Sequence, residues 1–174
     1  QYLEVPSDNL PFEQRPWMKA AEITDATIAA LATGRFDLLR INFANGDMVG
    51  HTGDHAAAIT AVEVVDLCLG RLLKAVAKAG GVALITADHG NADEMYMWDK
   101  KAGDFKRNSR GGIEAKTSHT LNPVPFHLFD AVGGRLALKE DVQGVGLSNV
   151  AATAIELLGF QPPEDYAQSL LKRL

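Results

Sequence analysis

The chain has one cysteine in 174 residues, Cys68, and a single thiol excludes an intramolecular disulfide. No apolar run approaches the length needed to span a bilayer; the longest, such as 82–87, are far too short. The first residues, Gln1-Tyr2-Leu3-Glu4, have neither a basic start nor an apolar stretch, so no secretory leader is visible. A starting methionine is missing too, and an excised piece of a longer protein is the expectation. Positive charge is not in excess: 17 Lys and Arg face 22 Asp and Glu, and the net charge of -5 argues against general nucleic-acid binding. An acidic protein that handles phosphate must therefore supply positive charge locally, through Arg, Lys or metal ions. Walker-type and dinucleotide glycine loops, a Gly-x-Ser-x-Gly elbow and a Cys-His pair are all absent. What is present, 47% hydrophobic and 22% charged residues without a low-complexity tract, describes one globular cytoplasmic domain with a sizeable core.

The order of elements follows from periodicity and breakers. Residues 1–17 are irregular, punctuated by Pro6, Pro11 and Pro16. A helix is predicted over 18–33, ending at Gly34, where a left-handed cap is easiest for glycine. Residues 36–43 read as a buried strand, followed by the loop Ala44-Asn45-Gly46-Asp47. Ile59, Val62, Val65, Leu69, Leu72, Leu73 and Val76 recur at helical spacing and predict a helix over 55–79, stopped by Gly80-Gly81. Residues 82–86 form the next strand. This strand–helix–strand unit predicts a parallel pair with a right-handed crossover, whose two following loops share the carboxyl edge where α/β sheets bind ligands. The polar stretch 95–118 reads as an excursion, in the form of a hairpin. A short strand over 124–129 and a last helix over 149–158, capped by Ser148 and ended by Gly159, complete the chain.

Three loop segments hold metal-ligating residue types. In Asn45-Gly46-Asp47-Met48-Val49-Gly50-His51, Asp47 and His51 are one helical turn apart and point the same way. A carboxylate with an imidazole suits zinc, manganese or a similar divalent ion. Asp88 and His89 follow the strand 82–86 directly; as adjacent residues they diverge and can serve different metals or faces. His119 lies in Thr117-Ser118-His119-Thr120. Each segment alone has an ordinary reading: a turn at Asp47, a helix cap at His51, a loop pair at Asp88-His89. His55 at the start of the long helix is expected to face solvent, His127 to be structural, and Cys68 to be a packed thiol.

The segments Asn-Gly-Asp-Met-Val-Gly-His-Thr-Gly (45–53), Thr-Ala-Asp-His-Gly-Asn-Ala (86–92) and Ser-His-Thr-Leu-Asn-Pro-Val-Pro (118–125) closely resemble the cofactor-independent phosphoglycerate mutases of the alkaline phosphatase superfamily. Gln14-Arg15-Pro16-Trp17-Met18, Glu22-Ile23-Thr24-Asp25, Ala61-Val62-Glu63-Val64-Val65-Asp66 and Gly146-Leu147-Ser148-Asn149-Val150-Ala151 extend the resemblance over nearly the whole chain. It implies an α/β fold: a three-layer αβα sandwich with a mostly parallel sheet, here part of one catalytic domain. It implies interconversion of 3-phosphoglycerate and 2-phosphoglycerate through a phosphoserine and two divalent metals, usually manganese, with magnesium, cobalt or zinc as alternatives. Asp47, His51 and His119 would hold one metal, and Asp88 and His89 would help hold the other. The nucleophilic serine, a further Asp and an inserted Arg-rich substrate domain belong to other parts of such proteins. No catalytic nucleophile is therefore expected in this chain, and an exposed sheet edge would favour self-association. The excursion 95–118 is longer than in many bacterial members and looks more like plant-type sequences. The competing expectations are another phosphotransferase or hydrolase of the same superfamily, and a non-catalytic metal-binding module.

Overall fold

The long helix α3 occupies His55–Ala79 in the computed structural model, which describes residues 1–174. Its start is fixed by Asp54, whose carboxylate accepts the Ala57 N–H at 3.0 Å and so satisfies one of the unpaired donors of the first turn. At its end Gly80 takes φ +66°, and the Gly80 and Gly81 N–H groups donate back to the carbonyls of Ala77 and Val76. This is a Schellman close, which favours glycine because a Cβ is strained at that φ; Gly80→Ala costs about 1–2 kcal/mol on that ground. Helix α1, Ala20–Ala32, and the short helix α2, Asn45–Gly50, precede α3. Strand β1 (Val82–Thr86) follows it, then β2 (Trp98–Asp99), β3 (Asp104–Phe105), β4 (Phe126–Asp130), β5 (Leu136–Leu138), helix α4 (Ser148–Leu157) and β6 (Leu171–Arg173). No helix is long and apolar enough to cross a membrane.

The residues fall into two compact units that alternate along the chain. The first comprises Gln1–Thr27, Ile41–Arg71 and His89–Val124. Its core is Val49 of α2, Ala57, Ala58 and Ala61 of α3, and Met95, with Phe12, Met18 and Ala92 packed at the margin. Three alanines on one face of α3 allow close approach of α2 and the 91–95 segment. The excursion 95–118 is a hairpin, as expected, built on the antiparallel pair β2–β3 and extended by bridges from Tyr96 to Ala115 and from Arg107 to Ile113. Asp99 shapes its turn by accepting the N–H groups of Lys101 and Ala102, and Trp98 packs edge-on against Phe105.

The second unit comprises Ile28–Arg40, Leu72–Asp88 and Pro125–Leu174. Here β1 pairs with β4, and β5 with β6, both antiparallel. Thr153 of α4 joins helix to chain end: its hydroxyl donates to the Asn149 carbonyl and accepts the Leu170 N–H. The chain is mixed α/β, but the parallel pair between 36–43 and 82–86 is not formed. Residues 36–43 have no ladder, and β1 takes β4 as its neighbour instead. The physical reason is that an apolar run states a demand for burial without naming a partner. Phe36, Leu38 and Ile41 consequently stand 37%, 58% and 38% exposed. Ser148 also departs from its expected role: it is the first residue of α4, Leu147 is the cap, and no side chain bonds there. Gly159 ends α4 as expected, at φ +85°.

Hydrogen exchange tests this arrangement. Amides in the β1–β4 ladder should exchange at least roughly tenfold more slowly than those of 36–43. Equal protection would mean that 36–43 has found a strand partner.

Candidate metal centre

Helix α2 is only six residues long, and His51, its C-cap, stays helical in φ and ψ and donates its N–H to the Asp47 carbonyl one turn back. The pair therefore shares a face, and Asp47 Oδ1 lies 3.1 Å from His51 Nε2. The helix is anchored by Asn45, buried, whose amide donates to the Pro16 carbonyl at 2.8 Å. His119 arrives from the far end of the hairpin, its Nε2 3.0 Å from Asp47 Oδ1 and 3.1 Å from His51 Nε2. His51 and His119 are 68 positions apart in sequence, so only the tertiary fold brings them together.

The loops carrying His89 and His119 are tied by backbone. The Thr120 N–H donates to the Gly90 carbonyl at 2.8 Å, and the two imidazoles stack with centroids 3.6 Å apart. Position 90 has no room for a side chain, since a Cβ would strike the Thr120 hydroxyl and stand 2.6 Å from Asp93 Oδ1. Asp93 secures the same junction by accepting from the Thr120 hydroxyl at 3.0 Å and the Asn122 amide at 2.7 Å. Burial pushes the Asp93 carboxyl upward, but the hydrogen bonds from Asn122, Thr120 and the backbone outweigh it and leave it below the usual carboxylate range.

The excursion has a place in this geometry. Thr117, at the end of the hairpin, offers its carbonyl to His51 Nδ1 at 2.7 Å. A carbonyl only accepts, so Nδ1 carries a proton, and Nε2 is the ring atom turned toward Asp47 and His119. Gly53 permits the hairpin base to approach: a Cβ there would stand 2.9 Å from the Ala115 Cβ, at a backbone φ of +73°.

Asp47 is held below the ordinary carboxylate range. Burial acts to raise it, but the Asn91 amide and the positive fields of His51, His119 and His89 together prevail. Asp47, His89 and His119 each present a ligand atom within 4.8 Å of the others, and His51 adjoins through Asp47 and His119. Asp47 Oδ1 and His51 Nε2 are both lone-pair donors, and two such atoms at 3.1 Å need a cation between them, either a proton or a metal. One carboxylate oxygen and several imidazole nitrogens form a donor set suited to divalent ions of the zinc and manganese kind.

Asp47, His51 and His119 are thus brought together. His89, expected to serve a different ion, lies beside the same group, its Nδ1 3.9 Å from Asp47 Oδ1. Asp88 closes the second unit, exposed, directly after β1. His55 is exposed against Tyr96, at 5.3 Å between ring centroids, and His127 is exposed on β4. Cys68 is buried in α3. The supporting groups Asn91, Thr117, Thr120, Asp93 and Asn122 were not marked as functional by sequence. Their signal was only adjacency to the ligands, and for Thr117 the contacting atom is backbone.

A family model described as the metalloenzyme superfamily matches residues 1–162. The chain belongs to the metalloenzyme superfamily. Among metalloenzymes it is similar to the 2,3-bisphosphoglycerate-independent phosphoglycerate mutase of Trypanosoma brucei brucei, 49% identical over 98% of this chain and 31% of that protein. A probable enzyme of the same name from Leptospira interrogans is 46% identical over 99% of this chain and 31% of its own length. The chain therefore spans about a third of the length of these relatives. A crystal structure of Leishmania mexicana phosphoglycerate mutase, determined at low cobalt concentration, superposes with a TM-score of 0.94 at 48% identity, covering 100% of this chain and 32% of that one. The α/β fold of this chain is accordingly that of the matched segment of a phosphoglycerate mutase, and a divalent metal is what its donor set and its superfamily both indicate.

The pH dependence of stability follows from Asp93. Its folded-state carboxyl lies below the unfolded value, so its contribution is present above the unfolded pKa and is lost as pH falls through the folded one. Urea denaturation should find Asp93→Asn less stable than wild type near pH 7, with the gap closing as pH drops through about 4 and below. A gap that widens on acidification would contradict the assignment.

Proposed function

We propose that this chain is the metal-holding part of a phosphoglycerate mutase catalytic domain, a single partial domain within a longer cytoplasmic protein. The complete protein interconverts 3-phosphoglycerate and 2-phosphoglycerate through a phosphoserine intermediate, with two divalent metals, manganese foremost. The observation that supports this most directly is the convergence of Asp47, His51 and His119 on one point. The named relatives support the substrate class.

Phosphoryl transfer asks little covalent work of a protein but much charge neutralisation and in-line positioning. Bound divalent ions supply that neutralisation and lower the pKa of a hydroxyl nucleophile. In this chain Asp47, His51 and His119 would hold the first ion, while the Thr117 carbonyl fixes the orientation of His51. Asp88 and His89 contribute to the second ion, whose other ligands, the nucleophilic serine included, come from outside these residues. Small phosphorylated acids are the partners, with neither nucleic acid nor membrane involved, and the chain by itself self-associates through an exposed sheet edge.

The 3.9 Å separation of His89 and Asp47 favours a second reading, in which Asp47, His51, His89 and His119 all serve one ion. Calorimetry with Mn²⁺ separates the two. His51→Ala should weaken the tight site at least tenfold, in line with the sensitivity of metal sites to their ligand shells, and His55→Ala should leave it unchanged. On the two-ion reading His89→Ala spares the tight site; on the one-ion reading it weakens it as His51→Ala does. Equal effects of His51→Ala and His55→Ala would contradict both.

A coupled assay tests the reaction itself. The chain alone with Mn²⁺ should show no turnover, because loss of a nucleophile removes the covalent route and no binding energy restores it. The full-length protein should convert 3-phosphoglycerate to 2-phosphoglycerate. Turnover by the chain alone, abolished by a substitution within it, would overturn the proposed division of labour.

A further inference from the structure

Asn91 has no ligand role in the reading above, yet it is 5% exposed and lies two residues after His89. Its amide nitrogen donates twice to one residue: to the Asp47 carboxylate Oδ1 at 2.7 Å and to the Asp47 main-chain carbonyl at 3.1 Å. Both acceptors require the NH₂ end, so the amide orientation is fixed by chemistry. The consequence is that Asn91 Oδ1 points into the protein, buried and without a hydrogen-bond partner. A buried polar atom left unpaired is costly and calls for a reason. The atoms nearest that orphaned oxygen's side of the site supply a second observation. A Cβ on Gly50 would stand 2.5 Å from Asn91 Oδ1 and 2.9 Å from its Cγ. Gly50 is the last residue of α2, and no positive φ demands glycine there. The helix thus forgoes a side chain, and the amide forgoes an acceptor bond, at one shared point.

We infer that Asn91 is a positioning residue for the metal centre, clamping side chain and main chain of Asp47 together so that Oδ1 faces His51 and His119, and that Gly50 is glycine to admit this amide. The inference rests on the proposed metal site. A free Asp side chain rotates about two torsions; the double contact from Asn91 holds the carboxylate against the helix that bears it. Removing the clamp leaves every ligand in place but loosens one of them, a change of the kind that costs metal sites about 10–100-fold in affinity.

The test is a double-mutant cycle in the full chain, with Co²⁺ as the probe, read by binding titration and by the visible d–d spectrum of the bound ion. Asn91→Ala should weaken Co²⁺ binding at least tenfold and change the spectrum. Gly50→Ala, which favours helix locally, should do the same by evicting the amide. In the Asn91→Ala background Gly50→Ala should add little, because nothing remains to evict. A purely structural role would lower thermal stability while leaving the Co²⁺ spectrum and affinity of the folded protein as in wild type, and that result overturns the inference. Full additivity of the two losses overturns it as well. Absence of Co²⁺ binding by wild type would instead remove the metal site itself, and the inference with it.

Discussion

Everything at this site depends on one electrostatic problem: a carboxylate oxygen and the lone pairs of neighbouring imidazoles are held within hydrogen-bonding distance of each other. Such atoms repel unless a cation lies among them. The surrounding chain resists their separation. Asp47 and His51 are fixed on a single helical turn, the Thr117 carbonyl holds His51 from behind, and the Thr120–Gly90 bridge keeps His119 stacked on His89. Gly53 and Gly90 sit where any side chain would push these pieces apart. Val49, on the same short helix as Asp47, belongs to the core with the α3 alanines and Met95, so the packing of the first unit also anchors that helix.

On the proposed function, this arrangement also explains how an acidic chain could serve an anionic substrate. With a net charge of -5 this chain taken by itself repels phosphate. The remedy is local: one carboxylate, held in its ionised form by Asn91 and its histidine neighbours, is surrounded by imidazole nitrogens rather than by further acids. A divalent ion there keeps net positive charge for phosphoryl oxygens.

Much of this was legible in the sequence, and the limits have physical causes. Helix α3 was readable end to end because its apolar period is long and Gly80-Gly81 close it. Asp47 and His51 were readable because their spacing matches a helical turn. Residues 36–43 misled because a hydrophobic run is equally a strand in a sheet and a segment without a ladder. Ser148 misled because a hydroxyl at a helix start caps only if the backbone turns one residue later. The proximity of His89 to Asp47 was hidden, since adjacent residues diverge but the stacking of loops 27 or more residues apart decides which way each points. Thr117 acts through a main-chain oxygen, which no residue letter announces.

The central claim is that Asp47, His51 and His119 bind a divalent ion directly, and anomalous diffraction from crystals of the chain grown with Mn²⁺ tests it most directly. The account predicts an anomalous peak bonded to Asp47 Oδ1, His51 Nε2 and His119 Nε2 at roughly 2.0–2.2 Å, the range of common carboxylate and histidine coordination. No peak among those three atoms, with the rings turned away from Asp47, would contradict it.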